Sequence, residues 1–181
     1  MSNRPGEILG PVRKAGAPLI VTAELPADIF SWVNSLRVAH FPPERNRLQA
    51  HVTLFHALPA WVEDELADLM KALSRTAPPA ARLTGVMDLG GGTALRIESA
   101  EMDAIRDTIS ERMHGLLTRQ DAQPARLHVT IQNKVEPGTA RALQAALRER
   151  LEPRLFRFHG LGLHAYEDGL WRPLSRVTFH R

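Results

Sequence analysis

The chain has 181 residues, 44% hydrophobic and 24% charged, enough to bury about 70% of its unfolded surface in one domain or two intimately packed lobes. No run approaches the roughly 18 to 20 apolar residues that cross a bilayer, and residues 1–17 carry no apolar signal core. Cysteine is absent, which excludes disulfides, thiolate zinc sites and a cysteine nucleophile, so a cytoplasmic protein is expected. Net charge is only +3, yet twenty of the 23 basic residues are Arg, a composition that permits fork-like recognition of phosphate without making the whole chain a nucleic-acid magnet.

Residues 1–18, with three Gly and three Pro and no periodicity, are expected to form a mobile tail ahead of one bilobal domain over 19–181. Residues 19–25 are apolar and β-branched, a strand, and Pro26 then opens a helix with Ile29, Trp32, Val33 and Leu36 on one face. A loop through Pro42 and Pro43 leads to a strand over 48–55. Pro59 precedes a helix whose Trp61, Leu66, Leu69, Met70 and Leu73 share a stripe. Residues 82–89 and 93–99 flank Gly90, Gly91 and Gly92 as a hairpin. A helix carrying Met102, Ile105, Ile109, Leu116 and Leu117 follows, then a strand over 126–133. A break at Pro137 and Gly138 leads to a helix with Leu143, Leu147 and Leu151. A last hairpin, 156–166 with 170–180, turns at Asp168 and Gly169. Helices interleave with strands, but the glycine-marked hairpins require antiparallel pairing. The expected class is α+β: two pseudo-symmetric lobes, each an antiparallel sheet with helices outside, around a central cleft.

Each half carries the same five-residue word on the strand after its first helix: Ala50-His51-Val52-Thr53-Leu54 and Leu127-His128-Val129-Thr130-Ile131. From the His and Thr content, chance yields two such copies with a probability on the order of one in a thousand. In a strand, residues i and i+2 share a face, so each His lies beside its Thr while the intervening apolar residues face the core. The same alternation puts Phe55 on the face of His51, and Gln132 and Lys134 on that of His128. If the two strands face each other, two imidazoles and two hydroxyls converge on one small volume, a set suited to a phosphodiester. A neutral His takes a proton from the attacking oxygen, a protonated His gives one to the leaving oxygen, and the Thr hydroxyls hold non-bridging phosphate oxygens.

The pair His51-Val52-Thr53 and His128-Val129-Thr130, 77 residues apart, resembles the two-histidine phosphoesterase superfamily, which includes 2′-5′ RNA ligase-like proteins and RNA cyclic phosphodiesterases. The resemblance implies a bilobal α+β fold with the two words meeting in a central cleft, and metal-independent opening of 2′,3′-cyclic phosphates, commonly to 2′-phosphates. It carries catalysis onto His51 and His128 and phosphate binding onto Thr53 and Thr130. Two positions depart from the ligase-like pattern. Asn133 stands where that branch often has Arg in the second motif, and the first motif continues Leu54-Phe55-His56 instead of a small residue before an aromatic.

Phe55, Lys134, Tyr166 and Trp171 are candidate substrate contacts, by stacking on a base or pairing with phosphate. His56 falls on the opposite face from His51 and is assigned a structural part, as are His40, His114, His159, His164 and His180. No pair of histidines has ligand spacing on one element, so neither a metal nor another cofactor is expected. Gly90, Gly91 and Gly92 lack a following Lys-Ser/Thr and do not make a P-loop. The expected partner is an RNA end or a small nucleotide phosphodiester, with no membrane. The competing expectation is a non-catalytic RNA-end or nucleotide binder using the same cleft.

Overall fold

A computed structural model describes residues 16–180. The larger part of the expected tail, residues 1–15, lies outside them. Pro18 is tied into the fold, its carbonyl accepting the Tyr166 N–H at 2.9 Å.

The elements are β1 (Leu19–Glu24), α1 (Ala27–His40), β2 (Val52–Leu58), α2 (Glu63–Leu73), β3 (Ala80–Asp88), β4 (Thr93–Glu98), α3 (Ala100–Arg112), β5 (His128–Gln132), α4 (Pro137–Arg150), β6 (Arg154–Arg157), β7 (Gly160–Glu167) and β8 (Leu170–Thr178). They form two four-stranded sheets, β2-β1-β7-β8 and β5-β4-β3-β6, and every strand pair is antiparallel. This is the α+β, two-sheet architecture that the hairpins imply. The sheets do not follow the midpoint of the chain, however. The β3–β4 hairpin belongs to the second sheet, and β7 and β8 return to the first.

The predicted continuous strand over 156–166 is therefore two strands in different sheets. Phe158, fully buried, carries the crossing, with its N–H on the Pro79 carbonyl and that of His159 on the Glu24 carbonyl. The crossing buries an aromatic side chain while every backbone donor on the way finds a partner. The β7–β8 turn is as expected: Asp168 at φ 50° and Gly169 at φ 82° give the two left-handed residues whose twist suits a two-residue hairpin.

Two further expectations are corrected. Trp61 is not in a helix stripe. It sits on the 3₁₀ turn Ala60–Val62 before α2 and is 66% exposed. The helix expected to reach Leu117 ends at Arg112, with Gly115 at φ 81° beyond it, although Leu116 and Leu117 still pack on the core.

β2 and β5, the strands bearing the repeated word, are both edge strands, and each has a bulge just past its Thr. Thr53 pairs with Thr22 and Phe55 with the adjacent Val21, leaving Leu54 as the extra residue. Thr130 pairs with Ala94 and Gln132 with the adjacent Thr93, leaving Ile131 as the extra residue. A bulge reverses the alternation of side chains beyond it. Phe55 and Gln132 are consequently buried, and Gln132 Oε1 accepts the Thr93 hydroxyl at 3.0 Å.

Candidate active site

His51 stands immediately before β2 and His128 opens β5; the residues expected to extend these strands upstream, 48–51 and 126–127, are not in strand. The local geometry of the two histidines is the same. Nδ1 of His51 lies 2.7 Å from the Gln49 carbonyl and Nδ1 of His128 lies 2.5 Å from the Arg126 carbonyl, in each case two residues upstream. A carbonyl can only accept, so each Nδ1 carries hydrogen and each Nε2 is the nitrogen left for chemistry. Thr53 and Thr130, two residues on, are both half-buried.

The two imidazoles are not equivalent. Burial lowers the pKa of His51 to about 4 against the hydrogen bond to Gln49, and the positive charges of Arg37, His128 and His164 push the same way. His51 is therefore neutral at pH 7. Its ring packs on Trp171 with centroids 4.4 Å apart, and Trp171 also meets His164 at 5.6 Å.

His51 opens onto a cavity of about 930 Å³ lined also by Thr22, Phe30, Arg47, His164 and Trp171. His128, Thr53 and Thr130 are not among its lining residues, so the cavity extends from the first motif along the first sheet. On its floor, Nε2 of His164 is 3.1 Å from the Thr22 hydroxyl. A Cβ on Gly162 would come within 2.7 Å of that hydroxyl and 2.8 Å of that Nε2, so only Gly lets the pair close over the strand. Glu24, from the same wall, is paired with Arg176.

Two buried arginines cross between the halves of the site. Arg37 of α1 donates from Nε to Asn46 Oδ1 at 2.8 Å and to the Leu48 carbonyl at 2.9 Å, and from Nη1 to the Thr130 carbonyl at 2.8 Å. Burial lowers its pKa to about 10, which leaves it charged at neutral pH. Arg106 of α3 makes the reverse crossing, from Nε to the Leu54 carbonyl at 3.1 Å and from Nη2 to the Asp121 and Gln123 carbonyls at 2.6 and 3.1 Å. Arg37 thus grips β5 and Arg106 grips β2, each next to the bulge. Asp121 adds a third tie: its buried carboxylate accepts the N–H groups of His56 and Ala57 and Nδ1 of His56. His56 is structural, as expected.

The 2′-5′ RNA ligase superfamily profile matches residues 25–170, most of the chain and both motifs. The chain belongs to this superfamily. None of the curated proteins matches it. The fold is similar to the crystal structure of TT0787 of Thermus thermophilus, with TM-score 0.61 and 17% identity over 90% of this chain and 97% of that one. It is also similar to that of E. coli LigT complexed with NADP+, with TM-score 0.59 and 18% identity over 93% and 100%. A structure of E. coli LigT complexed with 3′-AMP gives TM-score 0.55 and 18% identity over 92% and 99%. The two-histidine resemblance is borne out, and the family is one of phosphoesterase-type enzymes.

The remaining candidates divide. Trp171 lies against His51. Lys134 and Tyr166 do not reach the cavity but line a neighbouring groove. Phe55 is not available to any substrate: it is fully buried with the Arg106 guanidinium 4.8 Å from its ring centroid, because the bulge turns it inward. Sequence reasoning missed Thr22, His164, Arg37 and Arg106, and also Arg96, which β4 places directly beside His128 in the register. A signal for the arginines existed. Ile29, Val33 and Arg37 fall on one helix face, as do Met102, Arg106 and Ile109, and a cation in an apolar stripe needs a buried partner. Among the described residues, no helix is long and apolar enough to cross a membrane.

Proposed function

We propose that the protein is a phosphodiesterase that opens 2′,3′-cyclic phosphates, or 2′-5′ linkages, at RNA ends or on small nucleotides by metal-independent acid–base catalysis between His51 and His128. The observation that carries this reading is the matched pair of Nδ1 anchors, which leave both Nε2 atoms free within the two repeated words. Membership of the 2′-5′ RNA ligase superfamily supports it.

His51, neutral with its Nδ1 proton held by Gln49, has a lone pair on Nε2 and takes a proton from the attacking water. The water oxygen bonds to phosphorus and the bond from phosphorus to O3′ breaks. His128, protonated, delivers its Nε2 proton to O3′, leaving a 2′-phosphate. Solvent then exchanges protons to restore both rings. Thr53 and Thr130 donate their hydroxyls to the non-bridging oxygens and keep phosphorus in line between the imidazoles. With a 5′-hydroxyl in place of water as the attacking oxygen, the same groups would make a 2′-5′ bond as O3′ leaves.

The test is turnover, in EDTA, of a short RNA ending in a 2′,3′-cyclic phosphate, with 2′- and 3′-phosphate products resolved. His51→Ala and His128→Ala should each lose on the order of a hundredfold to ten-thousandfold in rate. Full activity in the double variant, or abolition of wild-type turnover by EDTA, would overturn the mechanism.

A further inference from the structure

Beside the cavity of His51 runs a second depression of about 440 Å³, between the C-terminal end of α1, the residues after β5 and the β7–β8 turn. Arg47 and Leu48 line both spaces, so the two adjoin. The groove is basic: Arg45, Arg47 and Lys134 line it with a single carboxylate, Glu44. All three cations are exposed, and among the described residues none of them is ion-paired. Tyr166, 45% exposed, adds an aromatic ring.

Lys134 is held in place by its backbone. It adopts φ 58°, a conformation that a long side chain disfavours. Its N–H is bonded to Asn133 Oδ1 at 2.8 Å, and the next N–H, of Val135, to the Gly91 carbonyl at 3.0 Å. A non-glycine residue fixed in a disfavoured conformation at the rim of a site is a sign of function when the residue itself has chemistry to offer. Here the strained residue is a cation with no internal partner, four positions after Thr130.

We propose that this groove is a second phosphate subsite, which takes the phosphodiester on the 5′ side of the terminal nucleotide while Tyr166 stacks on the preceding base. The inference rests on the phosphodiesterase reading and narrows its substrate. The protein acts on oligonucleotides in preference to mononucleotides, because a mononucleotide bearing only a cyclic phosphate leaves Arg45, Arg47 and Lys134 unused. A flexible single strand suits such a site, with cations following its backbone and an aromatic face accepting any base.

Binding is measured by anisotropy of a 5′-fluorescein tetraribonucleotide ending in a 2′-phosphate, with a nucleoside 2′-monophosphate as competitor. Turnover is measured in parallel on the cyclic-phosphate forms of both. Wild-type protein should bind the tetranucleotide at least tenfold more tightly. In Lys134→Ala/Arg45→Ala, changed only at exposed positions, that preference should fall below threefold. The slope of log affinity against log salt should become shallower by about 0.7 for each phosphate that is no longer neutralised. Equal binding of the two ligands by the wild type, or an unchanged preference in the variant, overturns the subsite. If neither cyclic phosphate is turned over, the phosphodiesterase reading fails, and the binding preference still decides the groove.

Discussion

Replacing Arg37 by Ala would cut one of the three ties between the two motif regions. Arg37 is 4% exposed, and its guanidinium serves three acceptors, Asn46 Oδ1 and the Leu48 and Thr130 carbonyls, at 2.8 to 2.9 Å. Stripping a partner from a buried acceptor costs about 1 to 3 kcal/mol. Arg37 also borders the groove, so water can reach part of the vacated space, and the lower value applies to each acceptor. The expected loss is about 3 kcal/mol, at the low end for a broken buried charge network. With a urea m-value of about 2 kcal/mol per molar, the unfolding midpoint should fall by about 1.5 M. Arg37→Lys should recover less than half of this, because one ammonium cannot reproduce a fork that reaches both the segment before β2 and Thr130 of β5. Turnover should fall in both variants even well below their unfolding midpoints, since Thr130 and His128 lose their register against His51. A midpoint shift under about 0.5 M for Arg37→Ala would refute the claim that this arginine sets the geometry of the site.

Asp121 gives a pH-dependent counterpart. Burial alone would raise its pKa, but the bonds from the His56 ring and the His56 and Ala57 amides outweigh it and hold the carboxyl below its ordinary 3.8. A lowered carboxyl contributes stability fully present above 3.8 and lost as pH falls through the lower folded value. Asp121→Asn should cost about 2 kcal/mol at pH 7, read from urea midpoints, and the gap to wild type should shrink as the pH is taken below that range. An equal gap at neutral and strongly acidic pH would sink this account. For catalysis, a His51 base with pKa about 4 places the acid limb of kcat/KM for a cyclic mononucleotide near that value, since on the acid side activity is lost as the base protonates. Rates measured from pH 4 to pH 8 should be past this limb by about pH 5.5. A limb centred at 6.5 or above would mean that His51 is not the base.

Much of the candidate site was legible because its information is local. The two His-x-Thr words are contiguous and in frame with the strand period, and they needed no knowledge of what lies across the cleft. The hairpin turns were legible for the same reason: Asp168 and Gly169 tolerate left-handed backbone wherever they occur. The alternation rule held for His51, Thr53, His128 and Thr130 and then failed for Phe55 and Gln132. The bulges after Thr53 and Thr130 arise from the register against β1 and β4, which no window of residues contains.

The sequence by itself determined the α+β class, the antiparallel pairing and the two repeated His-x-Thr words, because propensity, turn chemistry and period act over a few residues. Only the tertiary structure decided that β6 and β7 part into different sheets, that Trp171 and His164 stand beside His51, and that Arg37 and Arg106 lock the opposite motif strands. It likewise separated the two imidazoles, one word in sequence but two environments in space. The physical reason is common to all of these. Burial and hydrogen-bond partnership are properties of residues brought together from far apart, and they set both the pKa of a ring and the place of a charge.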